Sequence, residues 1–282
     1  MDPASIVVAD RSQRAKLRFT GEQRAWFLHQ ILTQAFEDVQ PGEARDAAMI
    51  TAHGRMTAYL ETLATQDAIY AHFESQLGES LPEQIRNYVF ATRVEIDDVS
   101  DEFGLVLIAG DGWRELAEAQ VPVPRMHPTS SLGIPAGYVW LDRSYVADVL
   151  TALEKEGAAR ATEKELEEIR ISNGVPRWGF EMDSKTFPQE VGIDEAAVHY
   201  DKGCYLGQEA MAKISFRGKV NRRLAKVEID GQAERGDELV LDEKRVGMIT
   251  SVAGSKGLAV VSHTVEPGTL LYAGDNAVKV ID

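Results

Sequence analysis

The chain has 282 residues, of which 44% are hydrophobic and 27% are charged, a balance that is typical of globular proteins. This length exceeds the usual size of a single hydrophobic core, so we expect two or three cores. No apolar run approaches the roughly 20 residues that span a bilayer, and a net charge of -15 argues against an extended surface for nucleic acid.

The N-terminus and the cysteine content indicate the cellular setting. Residues 1–10 lack the basic and apolar regions of a secretory signal, so the expected location is the cytoplasm. Cys204 is the only cysteine, which excludes an internal disulfide, and no cluster of Cys or His has the spacing of zinc or iron-sulfur ligands. The sequence therefore predicts no bound metal.

In the first third of the chain, short strands alternate with two amphipathic helices. A strand over residues 15–19 precedes a helix at which Thr20 and Gln23 have the spacing of a capping box. Two strands then flank a turn near Gly54, and a second helix with capping-box spacing begins at Ser80. The remaining predicted strands of this region cover residues 68–73 and 93–99.

The middle of the chain continues the alternation of strand and helix without a nucleotide-binding loop. Gly110-Asp111-Gly112 lies between a strand over residues 103–109 and a helix that begins near Trp113, but it lacks the third glycine of a dinucleotide fingerprint. We interpret it as a turn. A later helix has capping-box spacing at Thr162 and Glu165.

The last third contains a long irregular segment, followed by a run of short strands. Ordering a segment as long as residues 176–199 costs entropy, which favours a functional role for it. From Val220 onward, short apolar strands alternate with glycine turns, a pattern that predicts a small antiparallel barrel. We therefore expect three regions, residues 1–100, 101–219 and 220–282, with interleaving allowed between the first two.

The octapeptide from Lys202 to Glu209, K-G-C-Y-L-G-Q-E, is the most distinctive segment of the chain. Its cysteine lies between two glycines and two residues after a lysine, which predicts an accessible thiol rather than an apolar filler. A basic island follows, with seven cations from Lys202 to Lys226 against the single acid Glu209. Such a run often does no more than solvate a surface; its position beside the thiol favours a site for an anionic ligand.

These residues resemble the YgfZ-type folate-binding proteins, which are relatives of the aminomethyltransferase of the glycine cleavage system. Residues 202–209 fit the family motif K-G-C-Y-x-G-Q-E at every defined position. Supporting matches include Gly54-Arg55-Met56 and Phe187-Pro188-Gln189-Glu190. The resemblance implies an α+β, GcvT-like three-domain cloverleaf, in which two α+β domains surround a central folate channel and the C-terminal domain is an antiparallel β-barrel.

The resemblance also implies a cofactor, tetrahydrofolate or a one-carbon derivative, and residues that bind it. Glu190 is implied as the carboxylate that accepts paired hydrogen bonds from the pterin, whereas by itself it would be an ordinary solvated glutamate. Lys202 is implied either as a partner that stabilises a Cys204 thiolate or as an anchor for the folate tail. The other implied cofactor-binding residues are Tyr205, Arg217 and Arg223, with Lys219 and Arg222 as alternatives.

Within the octapeptide, the resemblance implies that Cys204 is a functional thiol, against the alternative of an inert packed one. The helix expected to begin near Gly207 would add to the stabilisation of its thiolate. Gly203, Gln208 and Glu209, like Gly207, are motif residues that shape the loop or cap its backbone donors.

The hairpin near Gly54 departs from the aminomethyltransferase pattern. There those enzymes carry an acid that assists carbon-unit transfer, whereas this chain has Thr57 and Ala58, and Glu61 and Asp67 are displaced from the aligned position. Neither a threonine nor an alanine can supply the general base, so glycine-cleavage activity is not expected. The family also prefers Arg where Lys213 stands, and a lysine lacks the planar fork of a guanidinium.

Taken together, the resemblance implies a tetrahydrofolate-binding accessory protein that supports the assembly or repair of iron-sulfur clusters, including those of tRNA-modifying enzymes. Its expected partners are folate and iron-sulfur enzymes or assembly proteins. One alternative is a folate-dependent one-carbon (aminomethyl) transferase, which the missing hairpin acid opposes, and another is a non-catalytic folate scaffold. Direct tRNA binding through the basic island is a further alternative, which we do not favour.

Overall fold

The computed structural model describes residues 6–122, 125–217 and 220–282, without the side chains of residues 215–217. The strands are β1 Val7–Asp10, β2 Ala15–Thr20, β3 Ala44–Ile50, β4 Met56–Ala64, β5 Ile69–Phe73, β6 Glu95–Asp98, β7 Phe103–Ala109, β8 Arg125–Pro128, β9 Ala136–Asp142, β10 Ala159–Arg160, β11 Arg222–Asp230, β12 Glu238–Leu241, β13 Lys244–Ala253, β14 Lys256–Ser262, β15 Leu270–Ala273 and β16 Asn276–Val280. The helices are α1 Arg24–Ile31, α2 Ser80–Arg86, α3 Trp113–Gln120, α4 Val146–Lys155, α5 Glu163–Ser172, α6 Asp194–Ala197 and α7 Gln208–Arg217, with 3₁₀ turns at Ser75–Leu77, Arg143–Tyr145 and Pro188–Glu190.

The first sheet is antiparallel, with the strand order β3-β4-β5-β2-β6. One of its faces is covered by α1 and α2, whose residues Phe27, Leu28 and Leu81 pack into a core with strand residues such as Phe19 and Leu60. The hairpin predicted near Gly54 is confirmed as the β3–β4 connection. It carries a register shift at Met49 and Ile50, next to the turn.

The second sheet has the order β10-β1-β7-β9-β8, and its central strand β7 is buried on both faces. Because side chains alternate along a strand, Leu105 and Leu107 face the first sheet, where they pack with Tyr70. Val106 and Ile108 face α3 and α4 instead. Strand β1 comes from the start of the chain and pairs with β7, so the region 1–100 contributes to both sheets. The domain boundaries themselves stay a prediction.

The last sixty residues form a closed barrel with the strand order β11-β14-β13-β12-β15-β16, which confirms the antiparallel barrel predicted from the glycine-punctuated strands. Its interior is filled by aliphatic side chains, among them Val227, Ile249, Leu271 and Val278. The α+β character of the remainder of the chain is likewise confirmed. None of the described helices combines the length and the apolar composition of a membrane span.

The segment between α5 and the barrel packs back against the first sheet. Trp178, Met182 and Met211 share a core with Ile50 and Met56 of the β3–β4 hairpin. The octapeptide begins six residues before α7 and lies at the end of this returning segment. The fold therefore brings the octapeptide to the hairpin, although about 150 residues separate them in sequence.

Of the three predicted capping boxes, one is confirmed. The Thr162 side chain accepts from the backbone of Glu165 at 3.3 Å, and Glu165 accepts from the backbone of Thr162 at 2.8 Å. The prediction at Thr20 is wrong, because this residue ends β2 and α1 begins after Gln23 without a side-chain cap. The prediction at Ser80 is also wrong, because Ser80 is already helical and Glu79 is the N-cap residue.

Candidate functional site

A central cavity of about 660 Å³ lies where the two sheets, the returning segment and the barrel meet. This volume is in the range of sites for small molecules and cofactors. The first sheet contributes Tyr59 and Glu61 to its wall, the second contributes Tyr138, and the barrel contributes Arg223. The returning segment adds a further group of wall residues, which includes Trp178, Gln189, Glu190 and Val191.

Glu190 lies in the cavity wall with its carboxylate already paired. The 3₁₀ turn Pro188–Glu190 aims the side chain back at its own start, where the Phe187 N–H donates to Oε2 at 3.0 Å. Arg222 donates from Nε to Oε1 at 3.0 Å and from Nη2 to Oε2 at 2.8 Å. Nη1 of Arg55 lies 3.7 Å from Oε2 of Glu190. This pairing raises the pKa of Arg222. The assignment of Glu190 to a pterin stays a prediction. Arg222 already contacts both oxygens that the pterin would use.

Lys202 is fastened to the C-terminal end of α1 rather than to the cavity. Its ammonium donates to the carbonyls of His29 and Gln34 at 2.6 and 2.8 Å, and to that of Leu32. The last carbonyls of a helix have no partner within the helix, so a lysine at this position satisfies them. Burial lowers the pKa of Lys202 to about 7. Lys202 does not line the central cavity, so its predicted contact with a folate tail has no support in this geometry.

Tyr205 is buried beside Lys202 and forms part of the same anchor. The Lys202 ammonium lies 4.5 Å from the centre of the Tyr205 ring, a cation–π distance. The ring packs among the apolar residues that join the returning segment to the hairpin, and burial raises the pKa of its hydroxyl to about 12. Its predicted role in binding the cofactor stays a prediction, and it lies outside the cavity wall.

The rest of the octapeptide presents the thiol on the surface. Cys204 and Gly203 are exposed, and α7 begins at Gln208, whose side-chain amide donates to the Lys202 carbonyl at 3.3 Å. Glu209 points to solvent and lies 3.9 Å from Lys213 across one helical turn. The Lys202 ammonium, predicted as a partner of the thiolate, is instead bound to three backbone carbonyls.

Only some side chains of the basic island are among those that the structure describes. The side chain of Arg217 and all of Lys219 lie outside the described residues, so their predicted roles stay predictions. Arg223 does line the central cavity, where it donates to the carbonyls of Asp282 at 2.6 Å and Val265 at 3.0 Å. Arg222, its neighbour, is the residue that contacts Glu190.

Sequence reasoning missed a further group of arginines that line the cavity. Arg177 forms ion pairs with three glutamates, at 3.2 Å from Glu74 and at 2.9 Å from Glu163 and Glu167. Arg170 forms an ion pair with the buried Glu181 at 2.9 Å. Arg11 and Arg14 line the same wall. No pattern in the sequence indicates this network, because it includes pairs such as Arg177 with Glu74 and Arg11 with Glu163, which are 103 and 152 positions apart.

The side chains of Glu61, His72 and His127 are close enough together to hold a metal ion, but every ring nitrogen of the two histidines is already in a hydrogen bond. The Arg14 Nε–H donates to Nδ1 of His72 at 2.7 Å, and since arginine is only a donor, the proton of His72 resides on Nε2. That proton is shared with Nε2 of His127 at 3.1 Å, and Nδ1 of His127 donates to the Pro128 carbonyl at 2.9 Å. Burial lowers the pKa of both histidines and keeps them neutral.

Strand β4 supplies one carboxylate to the central cavity, and it is not the acid of the aminomethyltransferases. Thr57 donates to the Met49 carbonyl at 3.3 Å, and Ala58 is in the core. Tyr59 and Glu61 follow on the cavity side. Glu61 accepts from Thr129 at 2.5 Å and lies 3.4 Å from Arg14, so its charge is already compensated.

Comparisons with known proteins agree with this architecture. Residues 221–282 match the family model described as the C-terminal beta-barrel domain of CAF17. The crystal structure of the glycine cleavage system aminomethyltransferase T of Bartonella henselae covers 99% of this chain, and this chain 86% of that one, with a TM-score of 0.88 at 13% identity. At that identity, the match concerns the fold alone.

Curated relatives match over most of the chain. It is 27% identical, over 89% of its length, to a putative chloroplastic transferase of Arabidopsis thaliana, of which it spans 62%. It is 22% identical, over 76% of its length, to the tRNA-modifying protein YgfZ of Colwellia psychrerythraea, of which it spans 68%. It is 25% identical, over 78% of its length, to a mitochondrial iron-sulfur cluster assembly factor of Phaeosphaeria nodorum, of which it spans 55%.

The octapeptide motif, the barrel and the shared three-part fold now point in one direction. The motif is local, the barrel match covers the C-terminal residues, and the fold match covers nearly the whole chain, the barrel included. These similarities to YgfZ, to aminomethyltransferases and to the CAF17 barrel support a protein of the YgfZ/GcvT family.

Proposed function

We propose that this protein binds tetrahydrofolate and supports the assembly or repair of iron-sulfur clusters in cluster-dependent enzymes, including tRNA-modifying ones. The observation that carries the proposal is the central cavity of about 660 Å³ with the buried Glu190 in its wall. The names of two relatives, a tRNA-modifying protein and a cluster assembly factor, support the cellular role.

The position of Cys204 supports a role toward a macromolecular partner. The thiol is exposed, whereas Lys202 and Tyr205 on either side of it are buried and hold the loop to α1 and the hairpin. A loop that is anchored at Lys202 and Tyr205 and presents one exposed thiol suits contact with another protein's surface better than chemistry inside the cavity.

The alternative, a folate-dependent aminomethyltransferase, has less support. Thr57 and Ala58 replace the family's acid, and the carboxylate that β4 does send to the cavity, that of Glu61, is paired with Arg14 and Thr129. Both oxygens of this carboxylate therefore already have a hydrogen-bond partner within the protein.

Titration with tetrahydrofolate under anaerobic conditions tests the folate half of the proposal. Trp178 lines the cavity and is 8% exposed, so its fluorescence should report binding. We expect saturable binding to the wild type and roughly tenfold weaker binding to Glu190→Gln, in line with the loss of a charge-assisted pair. Glu209→Gln, which changes an exposed glutamate of the octapeptide, is the matched control and should bind normally. A wild type that binds no tetrahydrofolate would overturn the proposal.

Complementation of a deletion strain tests the thiol. We expect Cys204→Ser to fail to restore iron-sulfur enzyme activities, although the protein accumulates and unfolds at the wild-type temperature because the side chain is exposed. Gly203→Ala, at an exposed neighbouring position with open space around it, should restore them. Full rescue by Cys204→Ser would show that the thiol is dispensable.

A further inference from the structure

Arg222 occupies the edge of Glu190 that the proposed function assigns to the pterin. Its Nε and Nη2 reach Oε1 and Oε2 at 3.0 and 2.8 Å, as a two-pronged fork in the manner of a bidentate pair. A pterin would use its ring N–H and its amino group to make the same kind of fork on the same carboxylate. Glu190 cannot hold both forks at once, so folate binding requires Arg222 to release it.

A second cavity, which we call the outer pocket, lies beside Glu190 and offers Arg222 another place. It has a volume of about 680 Å³, and its described lining contains Arg55, Lys185 and Arg222, with Glu190 as its only described acid. The side chains of Arg55 and Arg222 are 39% and 44% exposed, whereas that of Glu190 is 4% exposed. In a chain with a net charge of -15, this pocket is locally cationic.

The guanidinium of Arg55 is held in place in the outer pocket by an aromatic ring and a backbone carbonyl. Arg55 stacks over the Phe187 ring at 3.7 Å and donates to the Lys185 carbonyl, to which Arg222 also donates at 3.2 Å. A guanidinium held in one orientation loses little entropy when it binds an oxyanion, and its fork matches the oxygens of a phosphate. The exposed Lys185 adds a third positive charge to the lining.

We propose that the outer pocket binds a phosphate group, and that this anion draws Arg222 away from Glu190 and frees the carboxylate for the pterin. The second half of this statement rests on the proposed folate function; the first half does not. Arg222 would exchange one charged partner for another, so the cost of leaving the buried carboxylate is offset. By reciprocity, folate and phosphate would then raise each other's affinity.

The tail of the bound folate is a poor candidate for this anion. In folates, the p-aminobenzoyl group separates the tail carboxylates from the pterin ring. Arg222 and Arg55 lie 2.8 and 3.7 Å from the Glu190 carboxylate. With the pterin ring at Glu190, the tail carboxylates would therefore lie away from both arginines. The anion is thus a second ligand, either free phosphate or the phosphate of a larger molecule.

Thermal unfolding tests the pocket without folate. At constant ionic strength, we expect inorganic phosphate to raise the melting temperature of the wild type above that in chloride by about 2–4 °C near saturation. The rise should disappear in Arg55→Gln and persist in Arg93→Gln, a control at an exposed arginine paired with Glu22. A larger rise with AMP than with phosphate would identify a phosphate ester as the ligand. No rise in the wild type, or an equal rise in Arg55→Gln, would overturn the anion pocket.

Folate titration in the same buffers tests the coupling. We expect phosphate to tighten tetrahydrofolate binding to the wild type by about fivefold or more. Arg222→Gln should bind as tightly without phosphate as the wild type does with it, and should not respond to phosphate. Wild-type binding that ignores phosphate, or weaker binding by a folded Arg222→Gln, would overturn the coupling and leave the folate function standing. A phosphate-dependent melting temperature without any folate binding would remove the proposed function and the coupling with it, and would leave the anion pocket standing.

Discussion

Gly207 lies directly against the carbonyl oxygen of Thr51. An added Cβ at Gly207 would fall well inside van der Waals contact with this oxygen and would also meet the Ile50 side chain. The residue has φ +83°, a conformation that favours glycine. This contact fastens the octapeptide to the β3–β4 hairpin from one side, and Lys202 fastens it to α1 from the other.

Gly207→Ala should therefore destabilise the protein by roughly 2–4 kcal/mol, because it adds both backbone strain and a clash with fixed backbone. Gly203→Ala, four residues earlier with no atom within 4 Å of the new Cβ, should change the free energy of unfolding by less than about 0.5 kcal/mol. Urea denaturation of both variants measures the difference. Equal stabilities would mean that the loop is not held against Thr51.

Lys202→Met should cost about 3 kcal/mol of stability, because it leaves the carbonyls of His29, Leu32 and Gln34 without their charged donor. Lys213→Met, at a lysine on α7 whose side chain is 71% exposed, should be nearly neutral. Folate affinity of the folded Lys202→Met protein should stay close to that of the wild type. The opposite result, normal stability with lost folate binding, would restore the role of Lys202 as a tail anchor.

The histidine pair should behave as a neutral hydrogen-bonded chain. We expect ¹⁵N NMR at pH 7 to show His72 protonated on Nε2 and His127 protonated on Nδ1, as the donors and acceptors around them require. Treatment with EDTA should shift the melting temperature by less than about 1 °C. A stoichiometric zinc content that EDTA removes, with loss of stability, would mean that the cluster is a metal site.

Asp46 should make stability fall with rising pH across the weakly acidic range. Burial and the nearby Glu61 raise the pKa of this carboxyl from 3.8 to about 7. Because the folded protein holds the proton more tightly than the unfolded chain, the contribution is complete below about pH 4 and is lost as the pH rises through 7.

Asp46→Asn should remove that dependence. The amide oxygen can still accept from the Tyr59 hydroxyl, which contacts Asp46 at 2.8 Å. We expect a gain on the order of 2 kcal/mol at pH 8 and little change at pH 4, measured by urea denaturation at both pH values. Asp38→Asn is the control: Arg45 lowers the pKa of that exposed carboxyl, so its small effect should have the opposite sign. If the stability difference between Asp46→Asn and the wild type is the same at pH 8 and pH 4, the raised pKa of Asp46 is wrong.

The elements that could be predicted from sequence are those whose signal is local. The strand expected over residues 103–109 is observed at Phe103–Ala109, because a continuous apolar run suits a strand that is buried on both faces. Capping-box spacing was correct at Thr162 but not at Thr20. Thr20 is held in β2 by pairing with Glu95, a residue far along the chain that no local pattern reveals.

The candidate site divides in the same way. The octapeptide and Glu190 stood out in the sequence, because the spacing of unusual residues is visible there. The contacts of these residues were not visible. The sequence offered Lys202 two partners, the Cys204 thiolate and the folate tail, whereas the structure directs its ammonium to carbonyls about 170 positions away.

By itself, the sequence predicted the α+β elements, the C-terminal barrel and the segment that carries the thiol, since these depend on hydrophobic period, glycine turns and a contiguous motif, and that motif carries the resemblance to the YgfZ/GcvT family. Only the tertiary structure decided which charges meet. It placed Arg222 on Glu190 across 32 positions of sequence, and it directed Lys202 to carbonyls at the end of α1 rather than to the cavity. The physical reason is that a charged side chain takes the partner that packing brings within hydrogen-bond distance, and packing depends on the whole chain.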